Sequence, residues 1–439
     1  MLDSVKNKLW QRTPRSFLYK GICFLCTVFL SLGVFANPEG GQVTSGNATI
    51  SNPNSNTVII NQGSDKAIIN WQSFNINSNE TTHFQQPVNG MALNRISPLQ
   101  GGSQIYGRLT ATGQIILVNP AGIYFGPGAY INVGGLIAST ANITDQNFLN
   151  SLYHFDHVDG YAGSIINEGL IIAADHGLVA LVGNGVSNTG VIQANLGSVI
   201  LASGNAFTMS FASQDLINFS VDAPATSAGV DQNGKPLTNG VSNKGTLIAN
   251  GGKVLVSAKT VKNVLDHAIN MEGIVEAKSV TQRNGEIILD GGEQGSVRVS
   301  AKLDASGKGS NQTGGKVKIL GSNVSVVDQS SIDVSGDAGG GVVLIGGDYQ
   351  GKNTEIRNSE HTFVGSDSNI YADALTSGNG GKVIVWADND TSFYGNIFAR
   401  GGFSGGNGGF AEVSGKESLD YNGVVNTTAP LGTIGTLLL

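Results

Sequence analysis

The residues best suited to metal chemistry lie in one short polar segment, H-F-D-H-V-D. Its histidines and aspartates are spaced so that two or three could bind one metal ion: His154, Asp156, His157 and Asp159. The chain has only six histidines, and the others are scattered. We therefore interpret the segment as a polar loop, and we predict neither a metal site nor a cofactor.

A second group of candidates could cleave a polysaccharide: Asp304, Asp333, Asp373 and Arg400. A β-solenoid lyase or hydrolase needs carboxylates on one outer face, and three or more acids within about 10 Å would indicate one. These residues fall at predicted corners with no shared spacing. Lys316 and Lys382 follow glycine pairs but lack the remaining pattern of a phosphate-binding loop. The chain is predicted not to be an enzyme, and a solenoid lyase or hydrolase is kept as an alternative.

The elements that carry these residues follow from a repeat, N-x-G-x-(I/L)-x-A, at Asn167–Ala173, Asn188–Ala194 and Asn243–Ala249. Each copy is followed by G-x-V-x-(L/V), and the first two copies are offset by about 20 residues. Two short runs of period-2 alternation joined by Gly and Asn are typical of a strand, a tight corner and a second strand. Stacked units of this kind predict an all-β fold, a right-handed parallel β-helix with an N-terminal cap and extra-helical insertions.

The repeated asparagines Asn167, Asn188 and Asn243 are predicted to form an internal ladder, because stacked amides can bond from coil to coil. A surface-binding role is the alternative. Composition agrees with a solenoid, since the chain has 63 glycines and only 13% charged residues. Glycine and asparagine supply the positive φ that corners need. The formal net charge is −7, and no basic stripe remains once residues 1–36 are removed, so nucleic-acid binding is not expected.

Two segments interrupt the pattern. Residues 141–164 are predicted to be a protruding loop or short helix, and residues 205–240 a hairpin laid on the side. Among the early strands, Val43–Ile50 and Ile105–Leu109 are each predicted to be continuous. Later segments predict single strands of longer, less regular coils: Gly315–Leu320, Gly341–Ile345, Gly381–Trp386 and Gly409–Val413. The strand pattern runs to Leu439 without a polar stop, so we expect a truncated chain.

The N-terminus has the pattern of an export signal. A basic region is followed by an apolar stretch from Gly21 to Phe35, which is short for a membrane span. Val34-Phe35-Ala36 is a small-x-small cleavage site, so residues 1–36 are predicted to be a signal peptide cleaved between Ala36 and Asn37. The alternative is an uncleaved anchor. Both cysteines, Cys23 and Cys26, lie in this segment and are interpreted as small apolar residues.

The stretch from 93 to 140 carries several short motifs in one order. It contains N-R-I (Asn94, Arg95, Ile96), I-x-G, N-P-A-G-I (Asn119, Pro120, Ala121, Gly122, Ile123) and I-N-V-G-G-L-I-A-S-T. In these motifs it resembles the secretion domain of filamentous-haemagglutinin-like exoproteins of two-partner secretion. The resemblance covers about residues 37–300. Ala121 departs from the second asparagine that this family usually has in N-P-N-G-I.

The resemblance implies an adhesin-type exoprotein, secreted or held at the Gram-negative cell surface after passing the periplasm. Its partners would be the Sec translocon, an outer-membrane TpsB-type β-barrel transporter with periplasmic POTRA domains, and host-cell surface glycans or proteins. The expected domains are a signal peptide (1–36), the secretion domain (37–300) and an irregular Gly-rich solenoid (301–439). A second alternative is the secretion module of a longer contact-dependent toxin.

Overall fold

The chain divides into two units, Met1–Phe35 and Ala36–Leu439. The computed structural model describes residues 37–211, 217–261, 264–281 and 283–439. The predicted signal peptide, including Ala36, therefore lies outside the described residues. Among the residues that are described, no helix is both long enough and apolar enough to span a membrane.

Over its described residues the second unit is a parallel β-helix built from three long sheets, and from Met91 onward the chain runs from sheet I through sheet II to sheet III in each full coil. Sheet I has 14 strands: Gln42–Ser45, Lys66–Trp71, Met91–Ile96, Gln114–Val118, Gly135–Ser139, Leu178–Gly183, Ser198–Ser203, Lys253–Ala258, Glu286–Asp290, Lys316–Leu320, Val342–Ile345, Lys382–Ala387, Phe410–Gly415 and Thr436–Leu438. Sheet II has 11 strands: Ser103–Ile105, Ile123–Phe125, Ile165–Asn167, Val186–Asn188, Asn239–Asn243, His267–Met271, Ser296–Val299, Asn323–Val326, His361–Val364, Asp390–Phe393 and Ser418–Tyr421. Sheet III has 14 strands: Ala48–Asn54, Thr57–Gln62, Thr81–Gln85, Arg108–Ala111, Tyr130–Val133, Leu170–Ala173, Val191–Gln193, Thr246–Ile248, Ile274–Glu276, Lys302–Asp304, Ser331–Asp333, Asn369–Tyr371, Asn396–Phe398 and Val424–Asn426.

Equivalent residues of the sequence repeat pair in register on neighbouring coils. Val179 pairs with Val199, and Val199 pairs with Val254, in successive strands of sheet I. Their side chains belong to one apolar cluster that fills the interior from Val58 to Val413. A single coil could not bury these side chains, so the stability of each coil depends on its neighbours. The predicted all-β parallel β-helix is confirmed.

The close approach of successive coils explains the glycine of the N-x-G repeat. A Cβ placed on Gly190 would lie 2.1 Å from the carbonyl oxygen of Gly169, and one on Gly245 would lie 2.1 Å from that of Gly190. Neither distance leaves room for a side chain. The prediction of one strand at Ile105–Leu109 is wrong for a related reason, because the backbone turns at Gly107, where a Cβ would lie 2.1 Å from the carbonyl oxygen of Asn77.

Antiparallel strands cap the N-terminal end of the β-helix. Gln42–Ser45 pairs with Lys66–Trp71 in sheet I, and Ala48–Asn54 pairs with Thr57–Gln62 in sheet III. The prediction of one strand at Val43–Ile50 is therefore wrong. The chain turns at Gly46, whose φ is 80°, and each half of the segment covers a different sheet edge.

The two insertions form one layer on the outer face of sheet I. The first contains a helix, Asp145–Leu149, and a strand, Tyr153–Asp156. The second contains the hairpin Ala206–Phe211 and Ile217–Ala223, which confirms the predicted hairpin. The strand of the first insertion pairs with the hairpin in a three-stranded sheet. Together they bury a second apolar cluster against sheet I: Leu93, Ile116, Phe148, Phe155, Phe207 and Met209 among others.

The coils after residue 301 are more regular than expected. Each places one strand in each of the three sheets, and the extra residues lie in the turns between strands. One of these turns contains a short 3₁₀ segment, Tyr349–Gly351, and an earlier turn of the chain contains another, Pro98–Gln100. Tyr349–Gly351 belongs to a loop that we call the strap, residues 346–360. Its two ends are joined by a hydrogen bond of 2.7 Å, in which the N–H of Ser359 donates to the carbonyl oxygen of Gly346.

The strap covers a buried acid on the outer face of sheet I. Lys382 Nζ contacts Asp348 Oδ1 of the strap at 2.7 Å. Glu412, which is 0% exposed, accepts the N–H of Gln350 at 3.2 Å. Burial raises the pKa of Glu412. Trp386 packs in the same cluster with Ile384 and Leu344.

Candidate functional site

The N-P-A-G-I segment forms the corner between sheets I and II. The N–H of Gly122 donates to the carbonyl oxygen of Asn119 at 2.9 Å, which closes a β-turn with Pro120 at its second position. Gly122 has a φ of 110°. A Cβ there would lie 3.0 Å from the carbonyl oxygen of Ser164. The proline therefore presets the turn, and the glycine allows its close contact with the next coil.

The side chain of Asn119 ties this turn to the coil before it. It is 0% exposed. Its Oδ1 accepts the N–H of Ala121 at 3.0 Å. Its Nδ2 donates to the carbonyl oxygen of Gly101 at 3.1 Å and to Ser103 Oγ at 3.1 Å. Every hydrogen-bonding group of this amide is thus used inside the fold.

The turn is enclosed by residues that come later in the chain. The N–H of Ile123 donates to the carbonyl oxygen of Ser164 on the next coil at 3.0 Å. The second insertion reaches the same corner, where Val230 and Asp231 line a small cavity together with Ala121. Asn119, Pro120, Gly122 and Ile123 are buried, and Ala121 alone is half-buried. A partner therefore finds little of this motif on the folded surface.

Ala121 occupies the position at which the sequence departs from the resembling family. Its backbone N–H is bonded by the side chain of Asn119. This bond needs no side-chain amide at position 121. The alanine is therefore compatible with the turn, and Ser103 and Ser164, which the sequence analysis did not single out, hold the turn from either side. These serines belong to no motif that the sequence analysis used. The register of sheet II places them one coil before and one coil after the turn.

Asn94 and Arg95 lie one coil before the turn, on the strand that pairs with Gln114–Val118. They point to opposite faces of sheet I. Asn94 is 0% exposed and its Oδ1 accepts the indole N–H of Trp71 at 2.9 Å. Its Nδ2 donates to the carbonyl oxygen of Ala92 at 3.2 Å.

Arg95 holds the first insertion on the outer face. Its Nε donates to Asn142 Oδ1 at 2.9 Å, and its Nη2 donates to the carbonyl oxygen of Ile143 at 2.7 Å. Nη2 also pairs with Asp145 Oδ1 at 2.8 Å. The structure thus brings the two motifs near each other but gives them different neighbours, the interior for Asn94 and the insertion for Arg95.

The three repeated asparagines stack at the corner between sheets II and III. Asn167 Nδ2 donates to Asn188 Oδ1 at 2.8 Å, and Asn188 Nδ2 donates to Asn243 Oδ1 at 2.7 Å. All three are 0% exposed. Each Nδ2 also donates to the carbonyl oxygen of the glycine two residues later, at 3.3 Å. These amides are buried and bond one another and their own corners, so they are not exposed to a surface ligand.

The candidate carboxylates are occupied by cations and by corner hydrogen bonds. Asp373 receives Arg400 Nη2 at 2.7 Å and Arg400 Nε at 3.1 Å. Asp333 pairs with Lys308 at 2.7 Å. The expectation of no shared spacing is wrong for one pair, because Asp304 and Asp333 lie directly opposite each other on neighbouring strands of sheet III. Coils of unequal length hide this register in the sequence.

Asp304 illustrates what these acids do. Burial acts to raise its pKa, but hydrogen bonds from Ser306 and the charges of Lys278 and Lys302 outweigh burial and hold the pKa below its usual value. Its Oδ1 accepts the N–H of Ser306 at 3.1 Å and the Ser306 hydroxyl at 2.6 Å. The carboxylate therefore shapes a corner.

The H-F-D-H-V-D segment lies in the first insertion. His154 Nδ1 contacts Thr208 Oγ1 at 2.8 Å, and His154 Nε2 lies 3.2 Å from Asp156 Oδ1. Asp222 of the hairpin is 3.5 Å from His154 Nδ1. His154 thus links the two insertions. Across the ranges that the structure describes, no group of three or more His, Cys, Asp or Glu is placed to hold a metal ion.

Comparison with known proteins matches most of the chain. The profile of one protein family, described as the TPS secretion domain, matches residues 35–302. A heme/hemopexin-binding protein of Haemophilus influenzae strain Rd is 32% identical over 349 residues, which is 76% of this chain and 36% of that protein. A second heme/hemopexin-binding protein of Haemophilus influenzae is 30% identical over 278 residues, which is 57% of this chain and 28% of that protein. The chain thus spans about a third of the length of these relatives.

A solved structure matches the fold over nearly the whole chain. The crystal structure of the HMW1 secretion domain from Haemophilus influenzae is 31% identical in sequence and superposes with a TM-score of 0.76. The match covers 91% of this chain and 100% of that domain. The similarity therefore extends from the sequence motifs to the stacking of the coils.

Proposed function

The chain belongs to the TPS secretion domain family, and from this premise we propose that it is an adhesin-type exoprotein exported by two-partner secretion. Residues 37–300 would be the signal that an outer-membrane TpsB-type β-barrel transporter recognises through its periplasmic POTRA domains. Residues 1–36 would direct the chain through the Sec translocon first. The chain then passes the periplasm and folds at the cell exterior, where residues 301–439 extend the same coils.

The observation that carries this proposal is the burial of the N-P-A-G-I corner. Asn119 is 0% exposed and its amide is fully bonded within the fold. A transporter that reads this asparagine must do so before the coils close. Recognition and folding therefore compete for the same groups, so the transporter binds the unfolded chain and releases it as the corner forms. Ser164 and Val230, which enclose the corner, emerge later than the motif when the N-terminal part leads.

Coil stacking supports export without a nucleotide. Each coil pairs in register with the coil before it and extends the interior cluster. Because burial of apolar surface contributes about 25 cal/mol per Å², every coil that folds outside makes return through the pore less favourable. Nearest-neighbour stability of this kind also lets folding proceed from the first coils onward.

The test compares secreted with periplasmic protein for Asn119→Ala. We expect the secreted fraction to fall, and Ala121→Asn to leave it unchanged or raise it. Asn188→Ala is the matched control, since Asn188 is also 0% exposed and also loses buried side-chain hydrogen bonds. An unchanged ratio for Asn119→Ala would contradict the proposal. An equal fall for Asn188→Ala would assign the effect to stability instead.

We further propose that the exported chain acts by surface contact and not by catalysis. Each candidate carboxylate of the solenoid is paired with a cation or bonded at a corner, so none is left as an acid and base pair. Host-cell surface glycans or proteins are the proposed targets. Binding of purified chain to host cells, with no change in the size of added polysaccharides, is the expected result.

A further inference from the structure

Glu80 is a buried carboxylate near the N-terminal cap. It is 4% exposed and immediately precedes the strand Thr81–Gln85. Its Oε2 accepts the N–H of Asn77 at 2.8 Å and the N–H of Asn37 at 2.9 Å. Its Oε1 lies 3.4 Å from Asn77 Nδ2. Every one of these donors is neutral in the chain as it is synthesised.

The hydrogen bonds to Glu80 come from neutral donors only and replace part of the hydration that the buried carboxylate loses. Within the described ranges of the chain, no Lys, Arg or His forms an ion pair with Glu80. Removing a carboxylate from water costs several kcal/mol unless a cation or several strong hydrogen bonds replace the solvent. A donor at this site that gained a positive charge would therefore form a buried ion pair with Glu80.

Asn37 is held firmly at this site. It is 7% exposed, and its Nδ2 donates to the carbonyl oxygen of Ser55 at 3.2 Å. Two residues later, Glu39 pairs with Ser73 of the first coil. The φ of Asn37 is 69°, a left-handed conformation that asparagine adopts more often than most residues other than glycine. Asn37 Oδ1 is buried and has no hydrogen-bond partner among the described residues.

The sequence places the predicted signal-peptide cleavage at the same atom. Hydrolysis of the Ala36–Asn37 peptide bond adds the hydroxyl of water to the carbonyl carbon of Ala36 and a hydrogen to the nitrogen of Asn37. That nitrogen then takes up a proton from solvent and becomes an α-ammonium group. We propose that this new ammonium forms a buried ion pair with Glu80 and so closes the N-terminal cap of the mature chain.

The geometry suits a terminal ammonium in two further respects. An ammonium offers three N–H donors where the peptide offered one, and Asn37 Oδ1 is a buried acceptor on the same residue without a partner. Cleavage also removes the bond about which φ of Asn37 is defined, so the backbone of Asn37 is no longer held in the left-handed conformation. Processing thereby strengthens the coil on which the next coils stack.

The inference rests on the predicted removal of residues 1–36, which belongs to the proposed export route. It can be tested without a transporter. Chains 37–439 are prepared with an authentic Asn37 terminus, with Ala36 retained, and with N-acetylated Asn37, each with Glu80 and with Glu80→Gln. Hydrogen exchange is then measured for the strands Gln42–Ser45 and Thr81–Gln85, with Val342–Ile345 as the distant reference.

With Glu80 present, we expect the authentic chain to exchange about tenfold more slowly at the two cap strands than the extended and acetylated chains. With Glu80→Gln, the three termini should exchange alike. Equal exchange for all termini with Glu80 present overturns the proposal, and so does a difference that persists in Glu80→Gln. The comparison with Glu80 decides the matter by itself if the glutamine variant does not fold.

N-terminal sequencing then tests whether the mature chain begins at Asn37. Protein taken from the periplasm and from the medium should both begin at Asn37, because signal removal precedes passage of the outer membrane. A different first residue overturns the inference even if secretion proceeds normally. Conversely, an unchanged secreted fraction for Asn119→Ala would contradict the proposed function and leave the ion pair untouched, so the two proposals fail independently.

Discussion

The indole N–H of Trp71 donates to the side-chain oxygen of Asn94 across 2.9 Å inside the first coils. Both residues are almost completely buried, with 3% and 0% of their surface exposed. A residue of the N-R-I motif thus satisfies the one polar group of a core aromatic residue. Replacing it leaves that group unpaired in an apolar interior.

Asn94→Leu is therefore expected to lower the free energy of unfolding by about 1–3 kcal/mol, the usual loss for an unsatisfied buried donor. Far-UV circular dichroism during urea unfolding measures it. The loss measured for the double variant with Trp71→Phe should be smaller than the sum of the losses of the two single variants, because no donor remains to be satisfied. Strictly additive losses would show that this hydrogen bond contributes nothing.

Within the asparagine ladder, Asn188→Ala is expected to destabilise the chain more than Asn243→Ala. Asn188 both accepts from Asn167 and donates to Asn243, whereas Asn243 makes one ladder bond. From the number of unpaired amide groups we expect the free energy of unfolding to fall by about 2–3 kcal/mol for Asn188→Ala and by about 1–2 kcal/mol for Asn243→Ala. Chemical unfolding of the two variants under the same conditions compares them, and the reverse order would contradict the ladder as the source of stability.

Gly245→Ala is expected to destabilise the fold by about 1–3 kcal/mol or more, as overpacking does. The new Cβ would lie 2.1 Å from the carbonyl oxygen of Gly190, so two coils must separate. Gly365→Ala is the control, because its Cβ would meet nothing closer than 3.6 Å. That variant should be neutral or slightly stabilised. Thermal unfolding midpoints decide between these outcomes, and equal midpoints for both variants would count against the close approach of coils.

The strap is expected to respond to acid in two stages. Burial acts to raise the pKa of Asp348, but hydrogen bonds from Asn353, Lys382 and the N–H of Tyr349 lower that pKa to about 2. A depressed pKa stabilises the fold above the unfolded value of about 3.9, and this stability is lost as pH falls from there through about 2.

Glu412 acts in the opposite direction, because burial raises its pKa. Its protonation on mild acidification should therefore stabilise the strap before the contact of Asp348 with Lys382 is lost. Fluorescence of Trp386 followed from neutral pH to pH of about 2 measures both stages. Lys382→Met should weaken the second stage and Glu412→Gln should abolish the first. A profile identical in the two variants would contradict this assignment.

The repeat was sufficient to predict the stacked coils, because the same residues that alternate along the sequence must pair in register between coils. It could not predict the shared layer of the two insertions. Tyr153–Asp156 and Ala206–Phe211 carry no common period, and their pairing is decided by the apolar outer face of sheet I. Nor could it predict that Asp304 faces Asp333, since the number of residues between coils varies.

The sequence was sufficient to predict the N-P-A-G-I turn but not the residues that surround it. Ser103 and Ser164 bond the turn only because neighbouring coils bring them within reach. Glu80 had no sequence signal, since a single glutamate before a strand is ordinary. Its meaning comes from the folded position of Asn37, more than forty residues earlier in the chain.

The antiparallel strands of the cap cover the N-terminal end of the β-helix. Gln42–Ser45 and Ala48–Asn54 are antiparallel to the coil strands that they cover and expose mostly Ser, Thr and Asn. A second copy that stacks its parallel coils on that face meets strands of opposite polarity and few apolar side chains, so end-to-end addition is disfavoured there. Copies of the chain can consequently lie close together without joining at this face.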